Sequence, residues 1–521
     1  MAEKTATRRR SRRLQNAQRT VREPLKQPPV WPGHVGGRCK PLTQPEMERV
    51  HQTVLDLMEQ IGFADPIPSM IEIATNAGGH LREGGRLCFP RALVEDVLVR
   101  ALRKFVMPGQ TPEHDMEVGG QRVHTGTGEA SPNILDFESG RYRRAVLVDL
   151  YDIARLVDTL DNIHYYWRSV IPTDMPTGFD VDLNTSYACI VGTNKHIGVS
   201  YVQGDNLQAA VEMYDMRLGG EGTFRKRPFC SISCCHVVPP MRFAQESCDA
   251  LEAAVRAGMP MTLLSAAQTG ATAPAALVGT IVQAIAECLA GLVFSVLIDP
   301  NCRANLGTWP FVADLRTGAM TSGSTEQALL VAGCAQMAGF YDLPGSVAAG
   351  MTDSKVPDAQ SGAEKGYTLA LAAQAGSSLI MESAGMMASL LSASFESYVI
   401  DNDILGAVQR TVRGIEVTDQ TLSFDVIKNV VEGEGHFLGQ DQTISRMESD
   451  FFYPAIGDRL MPAEWEDRGA TDIWTRAKAR TREILSTHYP TYIEPEIDEK
   501  IRADFNILLP REAMRPGNRR W

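Results

Sequence analysis

The stretch GSVAAGMTDSKVPDAQSGAEKG (Gly345–Gly366) decides between a strand that simply reaches the surface and a strand that ends in a reactive mouth. Its first six residues are small or branched and mostly apolar, as in a strand buried on both faces. Within one turn the chain changes to Thr352, Asp353, Lys355, Asp358, Gln360 and Glu364. In (β/α)8 barrels the C-terminal strand ends and the loops after them carry the chemistry, so this switch from apolar to charged marks a candidate barrel mouth.

Seven further runs rich in β-forming residues surround it: residues 122–128, 162–172, 196–202, 229–238, 260–267, 292–299 and 377–384. Most successive starts lie about 30 to 40 residues apart, the length of a βα unit, with one longer gap between 299 and 345. The segments between them read as helices. RFAQESCDALEAAVRAG places apolar residues at helical spacing before a glycine. PAALVGTIVQAIAECLAG opens with proline and closes with glycine. Eight such units predict a (β/α)8 TIM-type barrel with N-terminal and C-terminal helical extensions. No strand is followed by a G-x-G-x-x-G turn, which disfavours an open dinucleotide-binding sheet. The expected organisation is a basic arm over residues 1–30, a helical cap over 31–119, the barrel over 120–400 and a helical extension over 401–521.

At 521 residues and 44% apolar content the chain can bury a large core. Its mean hydropathy of -0.15 and the lack of a long uninterrupted apolar run predict a soluble protein with no membrane partner. The first residues are basic without an apolar segment behind them, and the ten cysteines show no disulfide spacing. A cytoplasmic location is expected. The net charge of -12 argues against nucleic acid as a partner, despite the arginines at 8, 9, 10, 12 and 13.

The strand-end rule nominates His124, Trp167, His236, Gln268, Asp299, Asp353, Lys355 and Glu382. Trp309 and Phe311 join them from the long 299–345 gap. Each has a plain structural alternative. Tyr165 and Trp167 share a strand face and are either pocket wall or aromatic core. Cys234 and His236 could share a face, but Cys235 could not, and no nearby ligand pair completes a zinc set; no metal site is expected. Lys355 suits a Schiff base, yet Asp353 and Asp358 flank it and favour a salt-bridged lysine.

Taken together, GGRCKPLTQPEMERVHQTVLDLMEQIG, ILDFESGRYRRAVLVDLYDIARLVDTLDNI, GTNKHIG, AAGMTDSKVPDAQSGAEKG and GEGHFLGQDQT resemble the trimethylamine methyltransferase (MttB-like) family over nearly the whole chain. The resemblance implies a barrel that moves a methyl group from a methylamine to the cobalt of a separate corrinoid protein. Trimethylamine-specific members carry pyrrolysine in the region matching Gly350 and Met351. The ordinary residues here imply the branch that includes demethylases of quaternary amines such as glycine betaine.

On this basis Gly350, Met351, Asp353, Lys355 and Glu382 are the expected catalytic segment. Tyr165, Trp167, Trp309, Phe311 and Phe395 are the expected aromatic cage, with His236, Lys355 or His436 as donor to a substrate carboxylate. No tightly bound cofactor is expected; a corrinoid protein would dock at the mouth, and a homo-oligomer is anticipated. A folate-type acceptor, trimethylamine as donor, a non-catalytic quaternary-amine sensor and a lyase using Lys355 stay open as alternatives.

Overall fold

The computed structural model describes His34–Val35 and residues 39–521; the expected basic arm lies outside the described residues. Eight parallel strands form the barrel: β1 (Arg122–Thr127), β2 (Tyr165–Trp167), β3 (His196–Val199), β4 (Cys230–Cys234), β5 (Met261–Ser265), β6 (Ala304–Thr308), β7 (Gly345–Ala348) and β8 (Leu379–Ala384). They pair in chain order from β2 to β8. β8 then pairs with β1 and β1 with β2, so the sheet closes and leaves no edge among these eight strands.

Each strand is followed by a helix on the outside: α1 (Leu147–Asp158), α2 (Gly178–Gly192), α3 (Gly204–Arg217), α4 (Gln245–Ala257), α5 (Leu277–Ile298), α6 (Thr325–Phe340), α7 (Ala359–Ala375) and α8 (Phe395–Arg413). The last of these runs across residue 400 to Arg413. Helices Gln44–Asp56, Pro68–Asn76 and Arg91–Arg100 pack over α5 from the N-terminal side, and Ile473–Thr487 lies against α8 and α1.

One predicted strand is a helix. Residues 292–299 form the end of α5, and the sixth strand is ANLGT at Ala304–Thr308. Helix α5 is buried from Thr280 to Val296 because barrel strands cover one side and cap helices the other. A helix apolar all round has no stripe to betray its period, and its second half reads like a buried strand. It is also long and apolar enough to cross a membrane, yet most of it is enclosed by the protein. The true strand lacks a β-branched run. Inside it, a side chain on Gly307 would stand 2.8 Å from the Leu263 carbonyl oxygen.

There are two cores. The larger lies between the sheet and its helices. The second is a column inside the barrel, sealed at the N-terminal end by the hairpin Lys104–Met107/Met116–Gly119 through Phe105, Met107, Met116 and Val118. Tyr165 and Trp167 point into this column. They fit because their neighbours on the flanking strands are glycines. A Cβ on Gly126 would lie 1.9 Å from the Tyr165 ring, and one on Gly198 would lie 1.9 Å from the Trp167 ring.

This packing predicts a coupled effect. Gly198→Ala overfills the column and should destabilise the protein by about 1–3 kcal/mol. In a Trp167→Leu background the same change should cost much less, because the ring it strikes is gone. Thermal denaturation of the four proteins checks this, and additive losses would contradict it.

Candidate functional site

Strand alternation brings five of the expected residues to one place. Tyr165 and Trp167 of β2, Trp309 just after β6, Phe311 and Met351 belong to the upper part of the inner column, each at most 5% exposed. Phe311 reaches it from a short strand, Phe311–Ala313, that pairs with Gln268–Thr269 beside the mouth. Tyr165 and Trp167 meet edge to face, with centroids 6.4 Å apart. The Tyr165 hydroxyl donates to the Ile380 carbonyl at 2.9 Å, and Trp309 Nε1 donates to Ser346 Oγ at 3.1 Å. Trp167 Nε1 is buried without an acceptor among the described residues.

Glu382 stands over this floor because β8 is irregular there. The ladder to β1 shifts register between Ile380 and Ala384, and Glu382 adopts φ +60°. Such a bulge re-aims a side chain that a regular strand would direct elsewhere. Both carboxylate oxygens of Glu382 accept from the Glu129 backbone N–H at 3.2 Å. The Glu129 carboxylate in turn accepts from Ser233 Oγ at 2.9 Å.

Burial pushes the Glu382 carboxyl well above the ordinary carboxylate range, and the Glu129 charge adds to it. Burial also raises Glu129, opposed by Arg168 and Ser233. Two carboxyls in one low-dielectric site resist ionising together. Cys235 reaches solvent inside the mouth. Its thiol is nevertheless pushed up to about 12, first by the surrounding protein and then by Glu129, with Arg168 opposing.

The rest of the expected set is placed differently. Gly350 has φ +97°, and a Cβ there would lie 2.7 Å from Ser383 Cα and 2.8 Å from Leu369 Cδ2. A glycine there lets the chain pass close to β8 and α7. Asp353 accepts from the Ser322 N–H at 2.7 Å and Ser389 Oγ at 2.5 Å, while Glu364 accepts from Thr352 Oγ1 and the Asp353 N–H. The polar burst after β7 is thus a self-satisfied loop that braces the rim. Lys355 is exposed, and its amine donates to the Asp353 carbonyl of its own loop. It lacks the desolvated setting of a Schiff-base lysine.

His236 and Cys234 do share a face, but it is the outer one. His236 Nε2 lies 2.9 Å from the Glu287 carbonyl oxygen on α5, against Gly291, and Cys235 takes the inward position. Phe395 opens α8 and packs on Trp521 at 5.0 Å, outside the barrel. His436 is an exposed loop residue 3.8 Å from Glu434. Asp299 ends a helix, and His124 lies in β1, brought down to about 4 by burial.

Glu129, Ser233, Cys235 and Arg168 went unnamed as mouth residues. Glu129 and Arg168 directly follow the strand-end runs HTGTG and YYW, so the rule that nominated Asp353 also reaches them.

The buried carboxyl predicts a stability signature. A group whose folded pKa is raised contributes most below its ordinary value of 4.5, and that contribution is lost as pH rises through the folded pKa. Glu382→Gln cannot ionise and keeps an acceptor for the Glu129 N–H. Its melting temperature should gain on the parent's progressively as pH rises above about 4.5. A difference independent of pH would contradict this.

With the geometry in view, the chain matches the profile of the trimethylamine methyltransferase (MTTB) family over residues 6–508. It is 29% identical over 463 residues to the glycine betaine methyltransferase of Desulfitobacterium hafniense, spanning 89% of this chain and 95% of that one. It is 31% identical over 468 residues to the trimethylamine methyltransferase MttB of Methanosarcina barkeri, spanning 88% and 93%. The crystal structure of the monomethylamine methyltransferase MtmB of Methanosarcina barkeri aligns with a TM-score of 0.48 and 12% identity, covering 87% of this chain and 90% of that one. The chain belongs to the trimethylamine methyltransferase family and is a methyltransferase.

Proposed function

We propose that this methyltransferase takes a methyl group from a quaternary amine of the glycine betaine kind at the barrel mouth and passes it to a corrinoid carried by a separate protein. The observation that carries this reading is the carboxyl pair of buried Glu382 and half-buried Glu129 beside an aromatic column. Negative charge and ring faces together suit a cation that has no N–H to donate.

A quaternary ammonium leaves as a neutral tertiary amine, so no acid or base is required to release it. What is needed is positioning of one methyl carbon for in-line attack. Among the described residues of the mouth, the Cys235 thiol is pushed up to about 12 and so held as the poorly nucleophilic thiol, and carboxyl groups are poor nucleophiles toward a methyl carbon. The acceptor must come from outside. A corrinoid brought to the mouth by its own protein would supply the cobalt(I) nucleophile for that methyl carbon.

The positive charge fades as the methyl departs. Full ionisation of the pair therefore tightens binding of the substrate more than it stabilises the transition state. Holding the carboxyls partly protonated avoids that trap. Affinity for a quaternary amine should rise with pH as the pair ionises, and Glu382→Gln should flatten the dependence; titration calorimetry across pH reads both, and a pH-independent affinity in the parent would contradict them.

Trp309 offers a direct test of the floor. Alanine here would also open a cavity at about 3–5 kcal/mol, so leucine is the informative change. Trp309→Leu should weaken quaternary-amine binding by about 0.5–2 kcal/mol, and Trp309→Phe by less. The activity itself is tested by mixing the protein with glycine betaine and cob(I)alamin under reducing conditions. Methylcobalamin and dimethylglycine should appear in equal amounts. Binding without methyl transfer, with the cognate corrinoid protein present, would identify a sensor instead.

A further inference from the structure

We propose that Arg168 is the carboxylate anchor of this site, and that the methyl donor is therefore a zwitterion, a quaternary ammonium bearing a carboxylate a short distance away. The proposal rests on the mouth being a quaternary-amine site, as above, and names which amines it selects.

Four lysine or arginine residues are buried among the described residues: Arg155, Arg168, Lys195 and Lys365. Three of them donate to side-chain or backbone acceptors. Arg155 donates to Asp152 at 2.8 Å and to the Leu485 and His488 carbonyls. Lys195 donates to the carbonyls of Val157, Leu160 and Ile163, and Lys365 donates to Asp401 at 2.6 Å. Arg168 is different. Its guanidinium belongs to a residue 8% exposed, its Nε has no acceptor, and no carboxylate lies within ion-pair distance of it among the described residues. A buried charge without a partner is costly, and Arg168 is the one of these four whose side chain has no acceptor among the described residues.

Its position is set by β2. The Arg168 backbone N–H donates to the Gly198 carbonyl of β3 at 2.8 Å, directly after the inward ring of Trp167. The guanidinium is near enough to pull down Glu129 and Cys235 in the mouth, and Asp182 on α2. Neither acid accepts a hydrogen bond from it; both accept from other donors. Asp182 accepts from the Val202 N–H at 2.9 Å and Asn206 Nδ2 at 2.8 Å, and Glu129 accepts from Ser233.

A guanidinium offers a planar fork of donors that matches one carboxylate. Trp167 Nε1, the preceding residue's buried donor, is also without an acceptor. A carboxylate entering from the β2 side would satisfy Arg168 and leave the ammonium over the aromatic floor beneath Glu382. The three donors suggested by the sequence cannot do this: His236 faces α5, and Lys355 and His436 are exposed.

The test is titration calorimetry of the full chain with glycine betaine, choline and tetramethylammonium, which share the ammonium head but differ in the carboxylate. The parent should bind glycine betaine at least about tenfold more tightly than choline, and Arg168→Gln should erase that preference. Choline and tetramethylammonium should bind the variant as they bind the parent, which also shows that it is folded. Arg168→Lys should restore part of the preference. Equal binding of betaine and choline by the parent, or equal loss of all three ligands in a folded Arg168→Gln, overturns the anchor while leaving the quaternary-amine site. If the parent binds none of the three, the reading of the mouth falls first.

Discussion

Two large rings, Tyr165 and Trp167, sit inside a closed eight-stranded barrel only because Gly126 and Gly198 place no side chain where those rings lie. Everything above depends on that fit. The rings continue a column that starts at the N-terminal hairpin and ends in Trp309, Phe311 and Met351, so the mouth has a solid floor. A rigid floor is what a reaction by positioning requires, since a displacement of about 1 Å can cost a large factor in rate. The irregularity of β8 accompanies the placing of one carboxylate, Glu382, close enough to act on Tyr165 in the column.

Charge is distributed around this floor in an unusual balance. Half-buried Glu129 lies close enough to buried Glu382 to raise it further, while Arg168 pulls Glu129 down without touching it. Unsatisfied groups of this kind oppose folding and concentrate where a ligand completes them. Other charged groups near the barrel rim are paired: Lys365 is neutralised by Asp401, and Asp353 accepts from the rim loops.

Much of the architecture was legible in the sequence because barrel strands alternate with amphipathic helices at a regular interval. Seven of the eight strand windows contain a barrel strand; the eighth misled because α5 is buried on every side and its period is hidden. The site was legible in part. Parity along β2 put Tyr165 and Trp167 together on the inner face, and the strand-end rule found Glu382. Parity alone gave no sense for β4: it linked Cys234 with His236 but did not say that they face outward. The charged run after Gly350 drew attention from Glu129 and Arg168, although loop residues that satisfy one another are a common reason for such a run. Partnerless Arg168 is invisible to any one-dimensional reading, since only the folded chain shows what fails to reach it.

The central claim is that a quaternary ammonium rests on the inner aromatic column beneath Glu382. Met351 belongs to that column and gives it a reporter. Methyl NMR of protein carrying carbon-13 at the methionine methyls, with Met351 assigned through Met351→Leu, measures contact directly. Glycine betaine should shift the Met351 methyl and give it a cross-peak to the ligand's N-methyl protons. Saturable binding that leaves Met351 unmoved and perturbs methionines outside the barrel would contradict the account.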